Sequence, residues 1–480
     1  MSGWIKTLGK DSLVYGIGYG VSRFLQIIVL PIIAQALTLS EFGYYSNYVI
    51  FYTFAGGLFT CGLDSAATRF FFDSEDKKYH QQLFSSAFIF ILALSVLSVC
   101  LFFNFSPFVL GLLDVPAGYK DSMQYVLFTI PVVALNGFLL SWFKWKRERT
   151  KFLINSSSSV VFLLVPLLLI SEVTFLFIFK VIFWSQLVIA IFSTGLAGGY
   201  LRFNFNARVL WSLLAYGFPW MLVFLFGQSR TYLDRMFLTN YLNDSTYGLY
   251  NFSVRLATLL SLVITAFDMS FGPIAFSIWN KEGAPQFFSR LQSLYTFLIS
   301  AFACSICVFA PLLIQLLGGE KYAGAERILP LLLFAAIPLS LVNFSNLGTV
   351  YAKKSILSTF TLFLGLLVVL ILNFILTQRY LQYGAATASL VGHVVIILAG
   401  YCLSARYYSI PFAYGRDAIT FLSFLLLSFM AVNFSFGSNM YFEMLTKAVV
   451  LILIVVLFVW LVFKSEYRKA VTALKRRSLK

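Results

Sequence analysis

Residues 130–147 read IPVVALNGFLLSWFKWKR, and residues 337–354 read IPLSLVNFSNLGTVYAKK. Ile130-Pro131, Asn136 and Lys146-Arg147 recur as Ile337-Pro338, Asn343 and Lys353-Lys354, each 207 residues later. Further out, Phe42-Gly43-x-Tyr45 recurs as Tyr247-Gly248-x-Tyr250 at a separation of 205, so a length change of two residues reconciles the matches. The chain therefore carries an internal duplication. In a sequence that is 60% hydrophobic, such a duplication points to two related helical bundles in a membrane.

Charged residues make up only 11% of the chain, against about 25% in soluble domains. The apolar residues fall in runs of about twenty, long enough to cross a hydrocarbon layer of about 30 Å. They do not alternate as the strands of a transmembrane β-barrel do. Fourteen spans are expected, near 12–35, 43–66, 83–104, 122–143, 152–171, 174–198, 212–236, 246–270, 290–312, 328–350, 356–377, 384–404, 417–436 and 443–463. The first follows Lys6 and Lys10 and reads as a retained helix rather than a cleaved signal. The expected fold class is an all-α polytopic membrane protein: fourteen transmembrane helices arranged as two pseudo-twofold-related six-helix lobes plus a terminal pair. The divisions fall at 1–199 (first lobe), 200–211 (link), 212–410 (second lobe) and 411–480 (last two helices and a basic tail). Each copy holds an even number of spans, so both enter from one side and the symmetry axis runs along the membrane normal.

The net charge of +16 raises the question of a nucleic-acid partner. Its distribution answers it. With an even number of spans both termini share one side, and the segments on that side carry 25 basic residues, against four (Lys120, Lys321, Arg327, Arg379) on the other. The positive-inside rule puts the basic side, with both termini, in the cytoplasm. Contact with anionic headgroups accounts for the excess without DNA. Cys304 and Cys307 form a CxxC inside a span with no second pair nearby, which fits packing better than metal or redox chemistry. No metal site or cofactor is expected. Pro31, Pro131, Pro166, Pro219, Pro273, Pro311 and Pro338 fall within spans and are expected to bend them.

Leu39-Ser40-Glu41-Phe42-Gly43-x-Tyr45, Leu233-Asp234-Arg235, Tyr247-Gly248-x-Tyr250 and Tyr322-x3-Glu326-x2-Leu329-Pro330 together resemble the polysaccharide (O-antigen-type) flippases. These belong to the multidrug/oligosaccharidyl-lipid/polysaccharide exporter superfamily. The resemblance covers essentially the whole chain. It implies a V-shaped pair of lobes around a central cavity that moves undecaprenyl-diphosphate-linked oligosaccharide across the bacterial cytoplasmic membrane, for surface polysaccharides such as the O-antigen of lipopolysaccharide.

The residues themselves agree with a carrier of that kind. A diphosphate and a glycan cannot cross hydrocarbon without a polar path, because desolvating them costs too much. Arg23, Lys180, Arg230, Arg235 and Arg255 lie within spans, where each basic side chain at the bilayer centre costs about 2.5–3.5 kcal/mol on insertion scales and so faces a cavity or a partner. Arginine suits a diphosphate through its planar fork of donors. The alternatives are local: Arg230 can pair with Asp234 at i, i+4, and Arg235 or Lys180 can snorkel to an interface. Asp64, Asp234, Asp268 and His393 are the intramembrane groups able to couple a proton or sodium ion, although Asp64 can equally pair with Arg69. Tyr15, Tyr19, Tyr216 and Tyr232 offer rings for sugar stacking, and Ser156–Ser159 a polar helix face.

No nucleotide-binding GxxxxGK[ST] pattern occurs. A multidrug or cation antiporter calls for an acidic cavity, whereas the intramembrane balance is basic. A peptidoglycan-precursor flippase shares the cationic cavity. A membrane polysaccharide polymerase calls for a long outer loop bearing catalytic groups, which is lacking. Expected partners are the polyprenyl-diphosphate-linked oligosaccharide, membrane lipids, and a polymerase and other assembly proteins; a monomer suffices, since one chain supplies both lobes.

Overall fold

The computed structural model describes residues 28–454 apart from 72, 75, 105, 106, 108–110, 112, 114, 147, 171, 203, 353 and 435–442. In order, the helices are α1 (28–36), α2 (Leu39–Phe59), α3 (Leu63–Phe71), α4 (Lys77–Asn104), α5 (Lys120–Trp145), α6 (Arg149–Leu169), α7 (Phe175–Leu196) and α8 (Ala207–Leu238). The second copy continues with α9 (Asp244–Ala257), α10 (Leu260–Ile278), α11 (Ala284–Val308), α12 (Ala310–Leu317), α13 (Leu329–Ser340), α14 (Val342–Ser345), α15 (Leu347–Tyr351) and α16 (Ser355–Ser404). Then come α17 (Tyr414–Asn433) and α18 (443–454). No strand occurs among the described residues.

Among the described residues, eleven stretches are long and apolar enough to cross a membrane. One of them is α16, which reverses at Leu381, where φ is 50° and ψ −129°. A Cβ on Gly365 would meet Ile396, one on Gly392 would meet Val369, and one on Gly384 would meet the Leu376 carbonyl. As one number rises its partner falls, which is the pairing of antiparallel arms. The spans expected at 356–377 and 384–404 are thus two arms of one hairpin. Most of the first expected span and much of the last lie outside the described residues.

Local chemistry sets the helix starts. Thr38 caps α2 in a capping box: its hydroxyl accepts from the Glu41 amide at 3.2 Å while the Glu41 carboxylate accepts from the Thr38 amide at 2.9 Å. Asn243, 205 residues later, caps α9 by accepting from the Thr246 amide at 2.8 Å. The duplication therefore extends to the caps. Pro131, Pro166 and Pro219 sit inside helices that run on through them, and Pro311 opens α12. The backbone breaks instead at Cys61 and Gly62, both at positive φ, between α2 and α3, and at Thr258–Leu259 between α9 and α10.

Within the first copy α5 packs on α2, α4 and α7; within the second α11 packs on α13 and α17, and α13 on α16. Lipid gives helices no hydrophobic drive to associate, so close packing and hydrogen bonds hold them. Gln292 of α11 donates to Asp417 of α17 at 2.9 Å and accepts from the Tyr401 hydroxyl of α16 at 2.8 Å, joining three helices in a buried polar chain. The outward faces carry Leu169, Trp211, Ile356 and Ile419, all largely exposed, which suits a hydrocarbon surround.

Candidate functional site at the junction of the repeats

The two copies meet where α2 crosses α9. The crossing is close because both helices carry glycine there: a Cβ on Gly248 would lie 1.9 Å from the Leu39 carbonyl oxygen, and one on Gly43 would lie 2.9 Å from the Tyr247 ring. Around the glycines is a latch of polar bonds. The Tyr44 hydroxyl donates to Asp244, and the Tyr247 hydroxyl to the Asn47 side chain. Lys321 donates to the carbonyls of Gln35 at 2.9 Å and Leu37 at 2.6 Å, and the Tyr322 hydroxyl to that of Ala34 at 3.2 Å. Phe42, Phe252 and Tyr322 close the apolar part, with Phe252 and Tyr322 stacked at 4.1 Å. Burial pushes the Lys321 ammonium below its ordinary pKa, with the Glu41 carboxylate working against that shift.

Arg255 lies on α9 one turn before the break at Thr258 and is partly buried. Its guanidinium sits 5.9 Å from the centre of the Tyr45 ring of α2. The two border a cavity of about 90 Å³ that also touches Leu30 and Ile33 of α1 and Leu259 and Leu262 of the second copy. Among the described residues no carboxylate pairs with Arg255. A single ring face offers a cation about 0.5–2 kcal/mol, less than the cost of holding it at membrane depth. The site therefore has capacity for an anion.

The other sequence candidates are placed as follows. Arg23, Tyr15, Tyr19 and the Arg230 side chain lie outside the described residues, and with them the Arg230–Asp234 pairing. Asp234 is buried on α8, accepting from the Tyr250 hydroxyl and from the Arg235 amide at 2.9 Å. Arg235 borders a separate cavity, also lined by Tyr232. Lys180 lies 5.8 Å from the Tyr125 ring, inside the first copy. Asp64 feels Lys144, whereas Arg69 pairs with Asp73 one turn on. Asp268 is exposed and accepts from the Asn343 side chain at 2.7 Å. His393 is buried with Nδ1 2.6 Å from the Ala335 carbonyl oxygen. Tyr216 meets Phe70 edge-on, and Ser156 bonds back to the Leu153 carbonyl. No cluster of three potential metal ligands occurs among the described residues.

Sequence reasoning missed the latch partners Asp244, Asn47 and Lys321. It also missed Asn343 as the partner of Asp268, although Asn343 is one of the duplicated positions. The signal was available for Asp244 and Asn47, since both flank the duplicated Gly43 and Gly248.

The family model for polysaccharide biosynthesis proteins matches residues 8–279. The chain belongs to this family. No curated protein matches its sequence. Among solved structures it is similar to the lipid II flippase MurJ in an inward closed conformation, at 14% identity, 95% of this chain, 100% of that chain and a TM-score of 0.76. It is also similar to an inward-facing multidrug resistance MATE family transporter of the MOP superfamily, at 14% identity, 84% and 95% coverage and a TM-score of 0.62. A Vibrio cholerae MATE transporter, VcmN, aligns at 16% identity, 84% and 97% coverage and a TM-score of 0.57. At these identities the likeness is one of fold. This member of the polysaccharide biosynthesis family is thus a multi-pass membrane protein whose fold is that of a lipid flippase and of MATE transporters.

Proposed function

We propose that the chain is a flippase for a polyprenyl-diphosphate-linked oligosaccharide, working by alternating access in the bacterial cytoplasmic membrane with both termini in the cytoplasm. The observation that supports it most is Arg255, a cation at membrane depth and at the junction of the two copies, facing a cavity with an aromatic ring and no carboxylate. Such a group holds the diphosphate through charge-assisted hydrogen bonds, while the tail stays in lipid. Arg23, Arg230 and Lys180 are the further cations assigned to this path. With the latch of α2 and α9 closed, the head group enters from the cytoplasmic side. Rocking of the two copies about their shared axis then opens the latch and releases the head in the outer leaflet, supplying surface polysaccharide synthesis.

Direction comes from an ion gradient. Asp268, exposed and held by one amide, is the acid best placed to exchange a proton during the cycle; Asp64, Asp234 and His393 have closer contacts around them. The likeness to a lipid II flippase over the full length favours one alternative, transport of a lipid-linked peptidoglycan precursor. The two separate in cells lacking the protein. Accumulation of the surface-polysaccharide lipid intermediate, with cell-wall synthesis unchanged, supports the proposal; arrest of cell-wall synthesis supports the alternative; neither effect sinks both.

A further inference from the structure

On the far flank of the α2–α9 crossing lies a second cavity, of about 290 Å³, close to the lower bound for small-molecule sites of about 300 Å³. Its walls are Asn47, Ile50, Phe51 and Phe54 of α2 and Ser229, Tyr232 and Arg235 of α8, with Tyr247 of α9. The sequence register shows what it is. Arg255, Leu256 and Leu259 border the first cavity, and the residues 205 positions earlier, Ile50, Phe51 and Phe54, border the second. Arg235 borders the second, and its counterpart Leu30 borders the first. The two cavities are pseudo-twofold mates. Each carries one arginine, but supplied by opposite members of the duplicated helix pair.

Arg235 also has spare bonding capacity. Its Nε is buried without a hydrogen-bond partner among the described residues. The neighbouring Asp234 carboxylate is engaged by the Tyr250 hydroxyl and forms no ion pair with Arg235 among the described residues. Arg235 lies near the C-terminal end of α8, past the apolar stretch Ala207–Ser229, and a buried donor left unbonded there is costly unless an acceptor meets it. The rest of the wall is apolar and aromatic, apart from the side chains of Asn47, Ser229, Tyr232 and Thr239. Met236 on the rim is 54% exposed, so the cavity reaches the outer surface of the bundle between α2 and α8. A cation at the base, hydroxyl and amide groups beside it, and an apolar wall leading to the bilayer match an amphiphile with a phosphate head.

We propose that this cavity is a second anion site, which takes the phosphate headgroup of a membrane lipid admitted sideways between α2 and α8. It is additional to the site assigned to the substrate diphosphate at Arg255. It depends on the proposed function only for the orientation of the chain in the membrane.

The test is native mass spectrometry of the purified full-length chain, titrated separately with undecaprenyl diphosphate, phosphatidylglycerol and inorganic pyrophosphate. The wild-type chain is expected to bind two equivalents of a phosphate-bearing lipid. Arg235→Gln weakens one of them about tenfold or more, as loss of a paired charged contact does, and Arg235→Lys restores much of it. Ser229→Trp, which fills the cavity and leaves the charge in place, causes the same loss, so the result does not hang on the fold of one variant. Loss confined to undecaprenyl diphosphate identifies the substrate's own head as occupant; equal loss of phosphatidylglycerol identifies bulk phospholipid. Binding of two equivalents unchanged in both Arg235→Gln and Ser229→Trp overturns the inference, as does an effect on inorganic pyrophosphate alone. Arg255→Gln separates the two claims. If it removes an equivalent while the Arg235 and Ser229 variants remove none, the Arg255 assignment stands and the second site falls. The reverse pattern keeps the second site and refutes the Arg255 assignment.

Discussion

Two of the contacts between the copies of the repeat are built from different chemistry. Where α2 crosses α9, tyrosine hydroxyls, Lys321 and a ring stack lock the copies together. Where α3 meets α8, backbone closeness and side-chain packing make the contact: a Cβ on Gly62 would lie 2.2 Å from the Gly217 carbonyl oxygen, one on Gly217 would lie 2.7 Å from that of Cys61, and Phe70 meets Tyr216 edge-on. The first contact is directional, so opening it means breaking several hydrogen bonds at roughly 1 kcal/mol each, more where a charge takes part. The second rests on close approach and apolar packing, which carry less direction. In the rocking cycle proposed above, that asymmetry would make the bonded contact the gate and the glycine contact the bearing.

The largest effect is expected from bulk at the gate. Gly248→Leu places its Cβ inside the Leu39 carbonyl. Transport should be abolished and the purified chain destabilised by about 1–3 kcal/mol, as overpacking does, seen as a lowered midpoint of thermal unfolding. A wild-type midpoint and normal transport would mean that the crossing is looser than described.

Removing the gate's bonds without adding bulk should shift conformation rather than stability. In the double variant Asp244→Ala and Lys321→Ala, spin labels at Lys120→Cys and Glu320→Cys, both exposed at the latch end, should report a longer second distance. The population of that distance should rise about tenfold or more, since bonds to charged groups are worth about 1.5–3 kcal/mol. An unchanged distance distribution would move the gate elsewhere.

The bearing should tolerate less strain than its size suggests. Gly62 has φ of 67°, a conformation that costs other residues about 1–2 kcal/mol, so Gly62→Ala should lower the unfolding midpoint while leaving the labelled distance unchanged. If it moves that distance as the gate variant does, the two contacts are not distinct.

The smallest effect lies away from both contacts. Glu148 bonds Lys146 and Lys151 at the basic end. Burial raises its pKa, but the hydrogen bonds and charges of the two lysines outweigh that and leave it below the ordinary carboxylate value. A depressed carboxyl stabilises the fold above its unfolded pKa and loses that contribution as pH falls through its folded value. Glu148→Gln should therefore lower stability by less than about 1 kcal/mol at neutral pH, and the difference should shrink as pH falls below the ordinary glutamate value of about 4.3. A difference that persists in acid would assign the effect to packing.

Much of this architecture was legible in the sequence because duplication is written in residues that geometry constrains. Gly43 and Gly248 must lack side chains at the crossing, and Thr38 and Asn243 must cap the helices that meet there. The breaks were not legible: Cys61 and Gly62 end α2 with no proline to mark them, while Pro131 and Pro219 sit in helices that run on through them. At the site, Arg255 was identifiable because a cation in a span needs a reason. Its mate cavity was not, because Ile50 and Leu30 carry no chemistry of their own and become informative only when coordinates put them opposite Arg235 and Arg255. Arg69 illustrates the limit of proximity in sequence, since it turns toward Asp73, just past the end of α3, rather than to Asp64 on its own helix.

The most direct test of the central claim is translocation of a labelled undecaprenyl-diphosphate oligosaccharide across proteoliposomes holding the wild-type chain, Arg255→Ala or Arg255→Lys at equal protein levels. The account predicts transport by the wild type, a loss of about tenfold or more for Arg255→Ala, and partial recovery for Arg255→Lys, which keeps the charge without the planar fork. Transport by Arg255→Ala equal to that of the wild type would contradict it.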